Sequence, residues 1–369
     1  MKVLVTGANG FVGKNLLVRL QEEKIEFSTF FRGDSGSDLA MKLDECDFIV
    51  HLAGTNRPKN EHDFIEGNAN LTKRLADILQ KKKLTMPIIY SSSIQATLNN
   101  PYGASKKIAE DALNALSITN GNLIYNYRLP NVFGKWCKPN YNSAVATFCY
   151  SIINDLPIKV DNPDATVKLV YIDDVVSEFV DVIRRYKLTE KPDNPQVYPS
   201  YELTVGDLVN QLTLFKESRS SGIIERVGAG LARALYSTYI SYFNPSQFSY
   251  KLQKHEDPRG VFVEMLKTKD SGQFSFFSAH PGITRGGHYH HSKNEKFLVI
   301  RGQAKFSFRN IITDEYSELY TSEDELQIVE TVPGWAHNIT NVGDDEMFVM
   351  LWANEIFDHS KPDTFSALL

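Results

Sequence analysis

The hydrophobic pattern of this 369-residue chain changes period once, near residue 245, and a chain with two periods needs two folds. Upstream, short apolar runs alternate with helical ones. Residues 3–6, 26–31, 48–52, 87–91 and 123–128 read as strands, and 11–21, 70–82, 102–116 and 204–215 as helices. Such alternation predicts a doubly wound parallel sheet covered by helices, an α/β domain over 1–245. Residues 187–200 carry Pro, Asn and charge and read as a loop. Beyond Asn244-Pro245-Ser246 the period falls to two. Residues 273–278, 296–300, 303–308, 325–330 and 347–352 read as strands, separated by turns such as His280-Pro281-Gly282, Arg301-Gly302 and Pro333-Gly334. Many short strands with regular turns predict an all-β barrel over 246–369.

Composition narrows the function classes. The formal net charge is −5, so no global field draws the chain to nucleic acid or to an anionic membrane. Three cysteines (Cys46, Cys137, Cys149) without a C-x-x-C spacing suit a reducing cytoplasm rather than a disulfide scaffold. No window holds 18 uninterrupted apolar residues, and the apolar run over 1–6 is too short for a signal peptide. A cytoplasmic protein without membrane insertion is therefore expected. Of nine histidines, only His51 and His62 precede residue 250; His255, His280, His288, His290, His291, His337 and His359 follow it. That split predicts two chemistries in two domains.

The first strand runs into Gly7-Ala8-Asn9-Gly10-Phe11-Val12-Gly13, a G-x-x-G-x-x-G spacing that opens a helix. Glycines let backbone approach a pyrophosphate, and a helix N-terminus offers free N–H groups and a positive dipole end. This is the arrangement of Rossmann-type dinucleotide folds. The second strand ends at Phe31-Arg32, where NAD-preferring folds carry an acid for the ribose 2′-hydroxyl. A guanidinium suits a 2′-phosphate instead, so NADPH is the expected cofactor. Tyr102 and Lys106 stand four apart on one helix face, and an ammonium near a phenol favours the phenolate. With 17 tyrosines and 26 lysines, about one such pair arises by chance, so its context decides. Upstream, Ser91-Ser92-Ser93 closes a strand, where a hydroxyl can polarise a carbonyl.

These segments together resemble the extended short-chain dehydrogenase/reductases that act on nucleotide-activated sugars. His51-Leu52-Ala53-Gly54 is similar to the family's loop beside the cofactor, and Asn68 precedes a helix as the family's asparagine does. Arg128-Leu129-Pro130-Asn131-Val132-Phe133-Gly134 and Val170-Tyr171-Ile172-Asp173-Asp174-Val175 match two further segments. The resemblance implies Ser93, Tyr102 and Lys106 as catalytic residues and Lys106 on the nicotinamide ribose. It places the cofactor on Gly7 to Gly13, Arg32 and Leu52 to Gly54, and the substrate near Arg128 and Asn131. The interval from Ser93 to Tyr102 is shorter than the family's, which leaves Ser92 and Ser93 as alternatives.

The later half carries Gly282-x5-His288-Tyr289-His290-x4-Glu295-x6-Gly302, and then Gly334-x2-His337-x3-Asn341. Residues i and i+2 of a strand share a face, so His288 and His290 project together and His291 points away. With Glu295 and His337 they make a divalent-metal site, for which zinc is the expected ion. These are the two motifs of the cupin barrel, although the second has proline beside Gly334 and lacks the preceding glycine. Asp257-Pro258-Arg259-Gly260-Val261-Phe262-Val263-Glu264 is similar to the entry segment of cupin sugar-nucleotide 3,5-epimerases, where the arginine approaches the diphosphate. Those epimerases work without metal, with a histidine base and a tyrosine acid, so the ion's duty, catalytic or structural, is open.

A keto-sugar reductase fused to such a barrel resembles the bifunctional enzymes of capsular polysaccharide synthesis. That implies C3 epimerisation of a UDP-2-acetamido-2,6-dideoxy-4-keto-hexose in the barrel, then NADPH reduction of its C4 ketone, toward UDP-N-acetyl-L-fucosamine. It also implies a homodimer. His280, His291, Glu264 and Tyr289 stand open as the C3 base. The alternative is a single-activity reductase whose barrel is a metal-stabilised binding or dimerising module. A dehydratase is disfavoured, because Ile94 and Gln95, not a carboxylate, follow Ser93.

Overall fold

The computed structural model describes residues 1–58, 60–187, 193–252, 255–257, 260–262, 266–268, 272–355 and 360–369. It comprises two compact units that interleave along the chain. One holds Met1–Phe133, Asn140–Ser143 and Val167–Glu202; the other holds Gly134–Pro139, Ala144–Thr166 and Leu203–Leu369.

The first unit is built on a five-stranded parallel sheet of β1 (Lys2–Thr6), β2 (Glu26–Phe30), β3 (Phe48–His51), β4 (Ile88–Ser93) and β5 (Ile124–Leu129), in the order β2-β1-β3-β4-β5. Leu4, Ile49 and Ile88 are fully buried beneath Leu75 and Leu79 of the helix Leu71–Lys82 and Leu113 of the helix Pro101–Asn120. Each such side chain contributes about 1.5–3 kcal/mol through removal from water. β2 and β3 leave β1 on opposite sides, so the strand order reverses at β1. Open α/β sheets bind ligands at that point, beyond the carboxyl ends of the strands. The Rossmann-type α/β domain expected from the alternating pattern is therefore present.

The second unit contains an antiparallel, cupin-like all-β core of two five-stranded sheets. One orders Ser249–Lys251, Gln327–Glu330, Glu295–Arg301, Met347–Ala353 and Gln273–Ala279. The other orders Tyr316–Ser322, Gln303–Asn310, Trp335–Asn341, Thr284–Tyr289 and Phe365–Ser366. Phe297, Phe306, Phe308 and Ile339 are buried within it. Glu330 is buried between Lys296 and Arg219, the latter from the helix Val205–Ser221. Burial works to protonate this carboxyl, but the two cations hold it below its ordinary range. Removing one partner of such a buried group strands its charge, which makes the set a rigid fastening of helix to sheet.

The apolar pattern had not indicated the strand Tyr316–Ser322 or the helix Ala144–Ile153. The strand is largely polar, with exposed Tyr316 and Tyr320, so it lacks an apolar face. The helix is apolar almost all round and mostly buried, so it has no amphipathic period to read. Among the described residues no helix is long and apolar enough to cross a membrane, and the three cysteines are buried and not joined in disulfides.

Candidate active sites

In the first unit the turn after β1 is pressed against the loop after β3. Gly7 has φ +72°, and a Cβ there would lie 2.6 Å from the Ala53 nitrogen, so only glycine fits. Gly10 ends this turn and starts the helix Phe11–Glu22 with no side-chain cap and no acid in its first turn. The first N–H groups of that helix are thus left to an anion, with exposed Asn9 and half-buried Phe11 and Val12 around them and Gly13 buried below. Thr6 Oγ1 accepts from Ala53 N at 3.1 Å and fixes the Leu52–Ala53–Gly54 loop opposite. Arg32 is exposed just past the end of β2, whereas the Asp34 carboxylate is turned back to the Phe31 N–H and lies 3.8 Å from Lys42 Nζ.

Ser93, Tyr102 and Lys106 come together at the carboxyl end of β4. Ser92 and Ser93 part company there. Ser92 Oγ donates to Glu110 Oε1 at 2.6 Å, while Ser93 Oγ accepts from Gln95 N at 3.2 Å and also bonds Tyr102. Asn100 caps the helix Pro101–Asn120, accepting from Gly103 N at 2.8 Å, and so places Tyr102 in its first turn. Lys106 is buried, donates to the Ser91 carbonyl at 2.9 Å, and lies 6.0 Å from the centre of the Tyr102 ring. Burial lowers its pKa to about 8, against the pull of Glu110. Burial also raises the Tyr102 pKa, and the Ser93 hydrogen bond only partly offsets this. The expectation was a phenol whose proton Lys106 makes easier to transfer; in the folded chain burial holds that phenol protonated at neutral pH, which is the state a proton donor needs. Gly54 and Asn68 adjoin this pair: a Cβ on Gly54 would meet Asn68 Oδ1 at 2.6 Å and Lys106 Nζ at 3.3 Å.

The other candidate substrate residues of this unit are not part of that cluster. Arg128 forms a two-pronged ion pair with Glu110, at 2.9 and 2.6 Å. The pair lines a cavity of about 480 Å³ that includes neither Ser93 nor Tyr102. Asn131 is exposed and donates to the Lys168 carbonyl at 3.1 Å. Arg259 and Glu264 lie outside the described residues.

In the second unit His288, His290, Glu295 and His337 converge, each offering a ligand atom within 4.8 Å of the others. The route differs from a plain strand alternation. The strand Thr284–Tyr289 carries an irregularity between Gly286 and His288, and His290 lies one residue beyond its end. His290 Nε2 stands 3.1 Å and His337 Nε2 3.6 Å from Glu295 Oε2. Pro333-Gly334 makes a tight turn before His337: Gly334 has φ +78°, donates to the His290 carbonyl at 2.9 Å, and has no room for a Cβ beside the Trp136 ring. Sequence reasoning missed Lys293, whose Nζ holds Glu295 Oε1 at 2.7 Å and leaves Oε2 facing the imidazoles. A lysine inside a buried motif segment was the signal available.

Three observations fit this set to a divalent ion. His337 Nε2 is buried without a hydrogen bond. Burial, with His337 and His290 next, lowers the His288 pKa to about 4, so its lone pair is free at neutral pH. Burial opposes the charge on Glu295, yet His290 and its neighbours hold this carboxyl well below its usual range. Three imidazoles and a carboxylate suit zinc and equally manganese, iron or nickel. Above them lies a cavity of about 200 Å³ lined by Phe277, Arg285, Phe297, Phe306 and Asn338. Neither His280, His291 nor Tyr289 lines it; His291 packs on the Phe365 ring instead.

Two known families match different parts of the chain. Residues 3–197 match the NAD dependent epimerase/dehydratase family, and residues 255–365 match the polysaccharide biosynthesis C-terminal domain. A UDP-2-acetamido-2,6-beta-L-arabino-hexul-4-ose reductase of Pseudomonas aeruginosa is 55% identical over 367 residues, covering 99% of this chain and 98% of that protein. The crystal structure of the capsular polysaccharide assembling protein CapF from Staphylococcus aureus is similar over 100% of both chains, at 41% identity and a TM-score of 0.67. A Thermus thermophilus UDP-glucose 4-epimerase in complex with NAD shares the fold over 60% of this chain and 84% of its own, at 16% identity and a TM-score of 0.50.

Proposed function

Because the chain belongs to the NAD dependent epimerase/dehydratase family, and matches a sugar-nucleotide reductase and CapF from end to end, we propose a two-step enzyme of surface-polysaccharide synthesis. Its substrate is a UDP-2-acetamido-2,6-dideoxy-4-keto-hexose. The barrel epimerises C3, and the first unit then reduces the C4 ketone with NADPH, toward UDP-N-acetyl-L-fucosamine. The observation that carries the reading is the meeting of Ser93 with a protonated Tyr102 beside Lys106, in a chain similar throughout to a UDP-sugar reductase.

The nicotinamide supplies the hydride. Ser93 donates a hydrogen bond to the C4 carbonyl, Tyr102 delivers a proton to that oxygen as it gains charge, and Lys106 holds the cofactor ribose and supports the phenol electrostatically. Gly7 to Gly13 seat the pyrophosphate. In the barrel, the C3 proton is acidic because it lies next to the C4 ketone; its removal and return to the opposite face inverts that carbon. A divalent ion on His288, His290, Glu295 and His337 would supply positive charge to the site. Phe277, Phe297 and Phe306 keep the cavity apolar, which strengthens every charge interaction inside it. The test supplies the 4-keto sugar nucleotide in heavy water, with and without NADPH. Deuterium entry at C3 without NADPH, and loss of nicotinamide absorbance with it, is the expected pair of results. Reduction without any C3 exchange would leave the barrel as a binding module.

Two further outcomes follow from this site. Arg32→Ala removes a charge-assisted contact to the 2′-phosphate, about 1.5–3 kcal/mol. The KM for NADPH should rise about tenfold or more while that for NADH changes little; equal use of both cofactors by the unaltered enzyme would end this assignment. Lys106 is charged below about pH 8 and neutral above it. The kcat/KM for NADPH should therefore fall as pH rises through that value, and the alkaline limb should vanish in Lys106→Met, measured by initial rates over roughly pH 6–10.

A further inference from the structure

We propose that Asp363, a residue of the C-terminal segment outside the four-ligand cluster, is the positioning residue that presets the metal centre. This rests on the reading of the cluster as a metal site. Asp363 lies 73 residues beyond His290 in sequence; its main chain bonds the His290 ring, and its side chain grips the turn that follows.

Its carbonyl oxygen is 2.5 Å from His290 Nδ1. A carbonyl only accepts, so Nδ1 carries a proton, and the lone pair for an ion falls to Nε2, the atom that faces Glu295. Its carboxylate accepts from three successive backbone N–H groups. His291 N reaches Oδ1 at 2.8 Å, and Ser292 N and Lys293 N reach Oδ2 at 2.6 and 2.7 Å. Ser292 Oγ adds a fourth bond at 2.9 Å. The same turn delivers Lys293 Nζ to Glu295 Oε1, leaving Oε2 for the cation. One residue thus fixes the tautomer of one ligand directly and, through the turn, the open oxygen of another.

The segment is itself seated on the metal strand. Phe365 and Ser366 pair with Tyr289 and His288, and Ala367 N donates to the Gly287 carbonyl at 2.9 Å. Burial works against the charge on Asp363, but His291, His290 and the backbone donors hold the carboxyl well below its ordinary range. It stays a full acceptor near neutrality.

The experiment uses the full chain freed of metal and titrated with Co²⁺ against a chromophoric chelator, with the visible cobalt spectrum recorded. Asp363→Asn keeps the main-chain carbonyl and the side-chain shape but sets an NH₂ group against N–H donors. Co²⁺ affinity should drop about 10–100-fold, with a changed cobalt spectrum, in a protein whose circular dichroism is that of the unaltered chain. Unchanged affinity and spectrum in folded Asp363→Asn would overturn the proposal. A second measurement needs no variant: ¹⁵N shifts of His290 in the zinc-loaded protein should show Nδ1 protonated and Nε2 bound, and the reverse would also overturn it. An unaltered chain that binds no Co²⁺ or Zn²⁺ would fail the metal reading itself, a separate outcome.

Discussion

Tyr102→Phe is expected to lower NADPH-dependent reduction of the 4-keto sugar about 10²–10⁴-fold while leaving deuterium exchange at C3 unchanged. The argument starts from the proton. Hydride addition to a ketone leaves an alkoxide, and the phenol of Tyr102 is the acid beside Ser93 and Lys106 that can quench it. Burial keeps that phenol protonated in the free enzyme, so the variant loses a donor already loaded for use. Phenylalanine keeps the ring and its contact with Phe64, 5.7 Å between centres, so the helix start should stay packed. Exchange at C3 reports on the barrel, which contains no part of this trio. Single-turnover absorbance at the nicotinamide band and proton NMR in heavy water read the two activities in one sample. Reduction at the unaltered rate would remove Tyr102 from the mechanism.

The second large effect is expected from the barrel. His290→Ala should abolish binding of one divalent ion per chain and remove the stabilisation that the bound ion gives this unit. Glu295 keeps Lys293 at 2.7 Å as its cationic partner in the variant, so the loss reads the ion and not a stranded carboxylate. Metal analysis and a thermal melt measure the two losses; full metal content in the variant would refute the ligand set. Deuterium exchange at C3 in metal-free protein then separates two duties of the ion. Exchange lost in a barrel still folded by circular dichroism assigns it to the chemistry, whereas exchange at full rate reduces it to scaffolding.

Much of this architecture is legible in the sequence, for local reasons. The parallel strands announced themselves because each is a short apolar run with turn residues at its ends. The turn at Gly7 is contiguous, and the candidate ligands His288, His290 and Glu295 stand close in sequence, with His337 in a second motif of turn and strand. Ser93 was harder. The strand meets the 3₁₀ turn Ile94–Thr97 there, so simple alternation cannot say which hydroxyl turns toward Tyr102; the carboxylate of Glu110 decides it by taking Ser92. Arg128, expected near the substrate, pairs with that same carboxylate and lines a cavity beside it, a long-range partnership that the sequence pattern does not show.

The sequence by itself determined the two kinds of fold, and it brought forward the glycine turn, the Tyr102–Lys106 pair and the candidate ligands His288, His290, Glu295 and His337. Backbone period explains the pair on one helix; the candidate ligands lie on separate strands and were legible through their likeness to known motifs. Tertiary structure alone decided the rest. The two compact units exchange segments, so Ala144–Thr166 packs in the unit that holds the barrel although it lies within the first part of the chain. The phenol of Tyr102 is held protonated because burial outweighs the Ser93 hydrogen bond. Asp363 reaches His290 across 73 residues. Desolvation and long-range hydrogen bonds have no period, so nothing in a linear pattern records them.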